Sequence, residues 1–135
     1  LFACVWALSG GVIIIIVWLL EADDSVDSGD SWMKKTFTLE GHELLSEINK
    51  KLFQIELELM TEAVENYADI KPYGQVSPCE KYYSKRTSES SCLDLDKSIK
   101  EQFNLLRVVD NTRYPAYFVF EGHKYTLKIE KANDE

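Results

Sequence analysis

Residues 1–20 read LFACVWALSGGVIIIIVWLL and contain no charged side chain. An α-helix rises about 1.5 Å per residue, so a helix of this length would match a hydrocarbon core about 30 Å thick. Large apolar side chains would fall on every side of that helix, and the first charged residue is Glu21. The stretch therefore predicts a transmembrane helix over residues 1–20.

Two other structures compete with a membrane anchor. A buried core helix would need more protein around it than the rest of this chain supplies. A cleavable signal peptide would begin with basic residues and end at a small-residue cleavage site, and neither feature is present. We therefore expect a retained anchor whose small residues let a second membrane helix approach closely. The predicted helix contact consists of Ala7, Ser9, Gly10 and Gly11.

The charge of the chain restricts its partners and its location. The 135 residues include 15 Lys and Arg against 23 Asp and Glu, a formal net charge of −8, so we expect no nucleic-acid partner. Residues 21–34 are rich in Asp, Ser and Gly and predict an acidic linker, followed by one small soluble domain over residues 35–135. Cytoplasmic flanks of membrane helices are usually basic, so the acidic flank predicts a domain outside the cytoplasm, whether periplasmic, lumenal or extracellular.

Two cysteines, Cys79 and Cys92, flank the polar segment EKYYSKRTSESS. Such a pair is typical of a disulfide in an oxidising compartment, and closing a loop of this length would stabilise the fold by about 3 kcal/mol. Neither His42 nor His123 has ligand spacing to these cysteines, so no metal site is expected. The sequence therefore predicts a Cys79–Cys92 disulfide.

The longest helical pattern covers residues 42–67, where apolar side chains recur at three- and four-residue steps. These side chains span an arc of about 220°, wider than the stripe of about 100° that rests on a single core. We therefore predict a partner-binding face, although the sequence does not determine which flank is buried. The alternative is a helix enclosed by its own domain. The candidate contact residues are Ile48, Leu52, Ile55, Phe53, Leu57, Met60 and Val64.

The remaining elements complete an α+β prediction. Residues 96–106 predict a second short helix, in which Ser98 and Glu101 have capping-box spacing. Residues 116–129 predict an antiparallel hairpin or meander with Gly122 and His123 at its turn. The predicted fold is thus a transmembrane helix followed by a small α+β domain with a long amphipathic helix, a disulfide-bounded loop, a short helix and a C-terminal hairpin.

No motif in the chain indicates catalysis. His42 and His123 are not near a recognisable nucleophile motif, and zinc-protease and phosphate-loop patterns are absent from the sequence. We therefore expect no catalytic residue, metal or cofactor, and a protein that is not an enzyme. The predicted function is that of a single-pass membrane protein whose domain binds other membrane or envelope proteins, or a second copy of itself, as an accessory or assembly subunit.

The same order of elements resembles that of pilin-type filament subunits. That resemblance implies an alternative in which the N-terminal helix lies in the core of a filament. Mature type IV pilins usually carry Glu at their fifth position, where this chain has Val5. The two functions differ in an observable way, because a filament would be sheared from cells as fibres.

Overall fold

The computed structural model describes residues 8–11, 13–24, 28–75 and 87–132. Contacts divide the chain into two compact units. Unit 1 comprises Leu1–Ile13, Glu40–Ser46 and Tyr83–Glu135, and unit 2 comprises Ile14–Leu39 and Glu47–Tyr82. The elements are β1 (Ile14–Leu20), β2 (Ser31–Thr38), α1 (Leu45–Glu65), a 3₁₀ turn (Ser88–Ser91), α2 (Phe103–Leu106), β3 (Ala116–Phe120) and β4 (His123–Leu127).

The predicted transmembrane helix is wrong, because its second half is a β-strand. β1 pairs with β2 in antiparallel fashion, with Ile14 opposite Thr38 at one end of the ladder. Side chains alternate along β1, so that Ile15 is buried while Ile14 and Ile16 are exposed. A strand with two apolar faces has a nearly continuous apolar sequence, which periodicity alone cannot distinguish from a helix. Among the helices of the described ranges, none is long and apolar enough to span a membrane.

The small residues of the predicted membrane contact end in a turn. Leu8 and Ser9 are helical, Gly10 and Gly11 form the turn that follows them, and the Gly11 N–H donates to the Leu8 carbonyl oxygen at 2.9 Å. Gly11 has a φ of +88°, a left-handed conformation that glycine adopts without steric cost. Ala7 lies outside the described residues. The turn replaces the membrane helix that was predicted for this segment.

A bulge in the β1–β2 ladder changes the direction of one side chain. Leu19 pairs with Met33, whereas Leu20 pairs with Ser31, so Trp32 is an extra residue on β2. An extra residue bends its strand and redirects the local side chains. Trp32 and Met33, although adjacent in sequence, are consequently both half-buried.

Helix α1 rests on one apolar face. The buried positions are Ile48, Leu52, Leu59 and Ala63, and burying an aliphatic side chain contributes about 1.5–3 kcal/mol. In unit 2 the Lys35 ammonium of β2 lies 3.4 Å from a Glu58 oxygen and 3.0 Å from a Glu62 oxygen of α1. These charges are partly exposed, so the buried face contributes more to the attachment of the helix than the ion pairs do.

Unit 1 contains the hairpin that the sequence predicts, with its turn one residue earlier. β3 pairs with β4, with Phe120 opposite His123. The turn residues are therefore Glu121 and Gly122, whose φ angles of +46° and +81° are those of a type I′ turn rather than the predicted turn at Gly122 and His123. A small core lies at the base of this unit and comprises Leu93, Leu106, Val109 and Ala116.

The predicted disulfide is contradicted by Cys92, which is an exposed free thiol. Its Sγ lies 3.7 Å from the Leu93 carbonyl oxygen. Cys79 lies outside the described residues. Two cysteines that flank a polar segment therefore do not by themselves establish a disulfide.

The predicted second helix is reduced to the four residues of α2. The capping pair is nevertheless formed, since the Ser98 N–H and Oγ–H donate to Glu101 Oε2 at 2.8 and 2.7 Å. The Glu101 N–H in turn lies 3.3 Å from Ser98 Oγ. These contacts stabilise a turn that precedes α2 rather than the start of a long helix.

Candidate functional site

The segment between β1 and β2 is an acidic loop closed at its base. The Glu21 N–H donates to the Asp30 carbonyl oxygen at 2.8 Å. Gly29 permits this closure, because a Cβ at position 29 would collide with the Glu21 carbonyl oxygen. Residues 25–27 lie outside the described residues. The predicted linker 21–34 thus includes a short connection between two paired strands.

Residues 73–75, which follow α1 in unit 2, form hydrogen bonds to the base of the loop. Ser31 and Tyr73 exchange both backbone hydrogen bonds, at 2.9 and 3.1 Å. The Gln75 Nε2 amide donates to the Gly29 carbonyl oxygen at 2.6 Å. The loop therefore leaves the sheet from a fixed position.

Carboxylates project from this loop into solvent. Glu21, Asp23, Asp24 and Asp30 are all exposed, and residues 21–33 include no Lys or Arg. The Asp24 N–H donates to Asp23 Oδ1 at 2.7 Å, which holds one oxygen of that carboxylate within the loop. Accessible carboxylate oxygens of this kind can accept a proton from a bound substrate.

An apolar groove of about 410 Å³ lies beside the base of the loop. One wall is the end of β1 with the start of the loop, and the other is the last two turns of α1 with the residues that follow it. A groove of this size matches a small-molecule site. The lining residues are Leu19, Leu20, Glu21, Ala22, Trp32, Met60, Ala63, Val64 and Tyr67.

Two stacked aromatic rings form part of this groove. The Trp32 and Tyr67 ring centroids are 5.4 Å apart with an interplanar angle of 24°. The Trp32 indole nitrogen Nε1 is buried and finds no hydrogen-bond acceptor in the part of the chain that the structure describes. A buried N–H without an acceptor costs about 1–3 kcal/mol. A planar ligand in the groove would extend this stack on an exposed ring face.

The structure divides the predicted partner-binding face of α1 into two flanks. Ile48 and Leu52 are buried and Ile55 is half-buried, whereas Phe53, Leu57, Met60 and Val64 are exposed. Met60 and Val64 line the aromatic groove. Phe53 and Leu57 line a second, more polar groove of about 690 Å³ beside Lys35.

Trp32 and Tyr67 were missed as site residues by the sequence reasoning. Trp32 fell in the predicted linker, and Tyr67 counted only as the last apolar position of a helix. The sequence did contain a signal for Trp32, because SWMKKTFT includes the β-forming residues Trp, Thr and Phe and follows a Gly-containing segment after another apolar run. The bulge that redirects Trp32 has no comparable sequence signal.

No protein-family model matches the sequence, and no curated protein matches it. Solved structures do match. HypX from Aquifex aeolicus in complex with tetrahydrofolic acid has 26% identity and a TM-score of 0.75, over 96% of this chain and 23% of HypX. Methionyl-tRNA formyltransferase from Clostridium thermocellum has 17% identity and a TM-score of 0.71, over 97% of this chain and 57% of the enzyme. A sugar N-formyltransferase from a Shewanella species has 15% identity and a TM-score of 0.73, over 100% of this chain and 57% of that enzyme.

These similarities overturn the predicted function. A nonenzymatic accessory or assembly subunit of a membrane complex was expected, and the fold is instead one that enzymes use. The predicted bilayer partner, the placement outside the cytoplasm and the alternative filament subunit all depended on a helix over residues 1–20, where the structure has β1. The chain spans 57% of the two formyltransferases and 23% of HypX, and over that length it has their α/β fold.

Proposed function

We propose that this chain takes part in the transfer of a formyl group from a tetrahydrofolate carrier to an amine. The observation that carries the proposal is the apolar groove beside the acidic loop, in which the buried Trp32 N–H has no acceptor among the described residues. The similarity of the fold to two formyltransferases, and to HypX in complex with tetrahydrofolic acid, supports the choice of carrier.

The residues of the groove fit an aromatic ring of such a carrier. Trp32 and Tyr67 present a stacked pair that a planar ring can contact, and both residues line the groove. Leu19 and Met60 supply apolar surface that excludes water. When bound, a formylated tetrahydrofolate supplies the formyl group.

The acidic loop supplies acceptors for the proton that the amine must lose. An amine nitrogen that becomes a formamide nitrogen forms one new bond to the formyl carbon and releases one proton. The bond between the formyl carbon and the nitrogen of the carrier breaks in the same transfer, and that leaving nitrogen takes up one proton, so no proton is gained or lost overall. Glu21 both lines the groove and begins the loop, and the exposed Asp23 and Asp24 follow it within three residues. A positioned carboxylate base typically accelerates such a step by about 10²- to 10⁴-fold. In this proposal the groove binds the carrier and a loop carboxylate takes the proton.

The charge of the chain favours a small amine over a nucleic acid as the acceptor. A transfer RNA has a phosphate backbone, and its binding requires Lys and Arg, whereas this chain has a formal net charge of −8. The Shewanella relative is a sugar N-formyltransferase. We therefore propose the amino group of a sugar as the acceptor.

The experiment measures formyl transfer from 10-formyltetrahydrofolate to a panel of amino sugars by the 135-residue chain. Each loop aspartate is replaced by asparagine in turn: Asp23, Asp24, Asp27 and Asp30. Asp27 lies outside the described residues and is included because of its position in the loop sequence. The matched control is Glu56→Gln, which removes an exposed carboxylate of α1 that is not in the loop.

We expect at least one of the four variants to lose about 100-fold or more in kcat while its circular dichroism and its tetrahydrofolate affinity stay unchanged. Glu56→Gln should keep full activity. Wild-type transfer with full activity in all four variants would contradict a role of the loop aspartates as the base. A wild-type chain that formylates no amine would contradict the proposed function.

A further inference from the structure

The side chain of Arg107 is a buried cation with no hydrogen-bond partner among the described residues. Its side chain is 1% exposed, and none of its three guanidinium nitrogens has an acceptor in the described part of the chain. Its chain neighbours Leu106 and Val108 are also buried. A guanidinium stays protonated in proteins and offers five N–H donors, so burying it without acceptors is strongly unfavourable. The unfavourable burial of the Arg107 guanidinium is explained if the guanidinium binds an anion.

The turn that precedes α1 lies against Arg107 within unit 1. A Cβ at Gly41 would lie 3.5 Å from Arg107 Nη1, so the Gly41 backbone lies beside the guanidinium. Gly41 has a φ of +100°, in the left-handed region that favours glycine. The turn also fixes a buried carboxylate, because the N–H groups of Glu40 and Gly41 donate to Glu43 Oε1 and Oε2 at 2.9 and 3.0 Å. Both Glu43 oxygens are thus engaged by backbone and not by Arg107.

We propose that Arg107 is the receptor for an oxyanion, a carboxylate or a phosphate group, which binds when the Glu40–Glu43 turn moves aside. The planar guanidinium makes two parallel hydrogen bonds to either group, a geometry that lysine cannot provide. The turn brings a glycine beside Arg107 and gives the guanidinium no acceptor, so displacing the turn breaks no hydrogen bond to the guanidinium. This site lies in unit 1, and the proposal does not depend on the function proposed for the groove of unit 2.

The test is the thermal unfolding of the 135-residue chain in sodium phosphate, sodium formate and sodium chloride at equal ionic strength. Because a ligand of the native state stabilises it by mass action, the melting temperature should rise by about 5 °C at ten times the dissociation constant of the effective anion. Arg107→Met should abolish the rise. This variant should fold, since an apolar side chain often replaces a buried charge without loss of stability. Arg113→Met, the same change at an exposed arginine, should keep the rise.

The two anions distinguish the sources of the oxyanion. A rise with phosphate alone identifies a phosphate group, and a rise with formate identifies a carboxylate. An equal rise in Arg107→Met, or no rise in the wild-type chain, would overturn the proposal. Nuclear magnetic resonance of the arginine Nε–Hε groups is a second readout that needs no variant. The Arg107 signal should move on titration while that of Arg113 stays fixed, and a stationary Arg107 signal would overturn the proposal.

Discussion

At the scale of single residues, Gly29 determines whether the acidic loop can close. The Glu21 carbonyl oxygen occupies the space where any other residue would place its Cβ. The Glu21–Asp30 hydrogen bond at 2.8 Å depends on the same close approach of the two backbone segments. A glycine is therefore required at position 29 by packing rather than by a positive φ.

Replacing Gly29 by alanine should destabilise the chain and disturb the site. We expect Gly29→Ala to lower the free energy of unfolding by about 1–3 kcal/mol, as overpacking does elsewhere, and to weaken tetrahydrofolate binding. The control is Gly74→Ala, where the nearest atom to a Cβ is the Asp30 Oδ1 oxygen at 4.0 Å. Urea denaturation measures both variants, and equal stabilities for the two would contradict the packing explanation.

The Ser98–Glu101 pair predicts a specific response to acid. The hydrogen bond from the Ser98 side chain, followed by that from its backbone N–H, lowers the pKa of Glu101. A carboxylate whose pKa is lower in the folded state stabilises that state above its unfolded-state pKa of about 4.3, and this contribution is lost as the pH falls through the folded-state pKa.

Ser98→Ala should therefore raise the pKa of Glu101 toward its ordinary value, and Ser98→Thr should leave it low because threonine keeps the hydroxyl. A pH titration of the Glu101 side-chain carboxyl by nuclear magnetic resonance measures the pKa in each variant. An unchanged pKa in Ser98→Ala would show that the hydroxyl is not the cause.

Contacts between residues that are close in sequence could be predicted here, whereas the side-chain positions that depend on strand pairing or on burial could not. Ser98 and Glu101 are three residues apart, so their capping contact follows from local spacing. Trp32 owes its position to a bulge that exists only because β1 pairs with β2 in one register. Arg107 likewise gives no sign of burial in the sequence, since arginine is usually exposed.

At the scale of elements, the apolar run of residues 1–20 is the source of the main error. Its second half becomes β1, whose exposed face carries Ile14, Ile16 and Trp18. Apolar residues on both faces remove the alternation that usually identifies a strand. The length of the run then favoured a membrane helix, although the Gly10–Gly11 turn interrupts it.

The sequence predicts helix α1 over residues 42–67 from a long run of apolar residues at helical spacing, and the structure has it over Leu45–Glu65. The structure also shows which flank of this helix is buried. Leu59→Ala should lower the free energy of unfolding by about 2–5 kcal/mol, because Leu59 is buried and its loss leaves a cavity. Leu57→Ala makes the same chemical change on the exposed flank of the same helix and should cost less than about 1 kcal/mol. Comparable losses for the two variants in urea denaturation would contradict this assignment of the flanks.

At the scale of the whole molecule, composition indicated neither the fold nor the function. The formal net charge of −8 weighs against a phosphate-backbone partner but does not distinguish among the folds that acidic chains adopt. Local patterns supplied α1 and the C-terminal hairpin, yet neither element is specific to one fold. The similarity to formyltransferases became visible only in three dimensions, at 15–17% identity for the two enzymes compared.

Binding of a tetrahydrofolate in the aromatic groove can be measured through the fluorescence of Trp32. Trp6→Phe and Trp18→Phe together leave Trp32 as the single tryptophan of the chain. Tetrahydrofolate should quench its emission with saturation at one equivalent, and Tyr67→Ala should weaken binding about 5- to 10-fold by removing the stacking partner. Tyr67→Phe keeps the ring and should bind normally. No quenching of Trp32, or quenching that Tyr67→Ala leaves unchanged, would contradict the account.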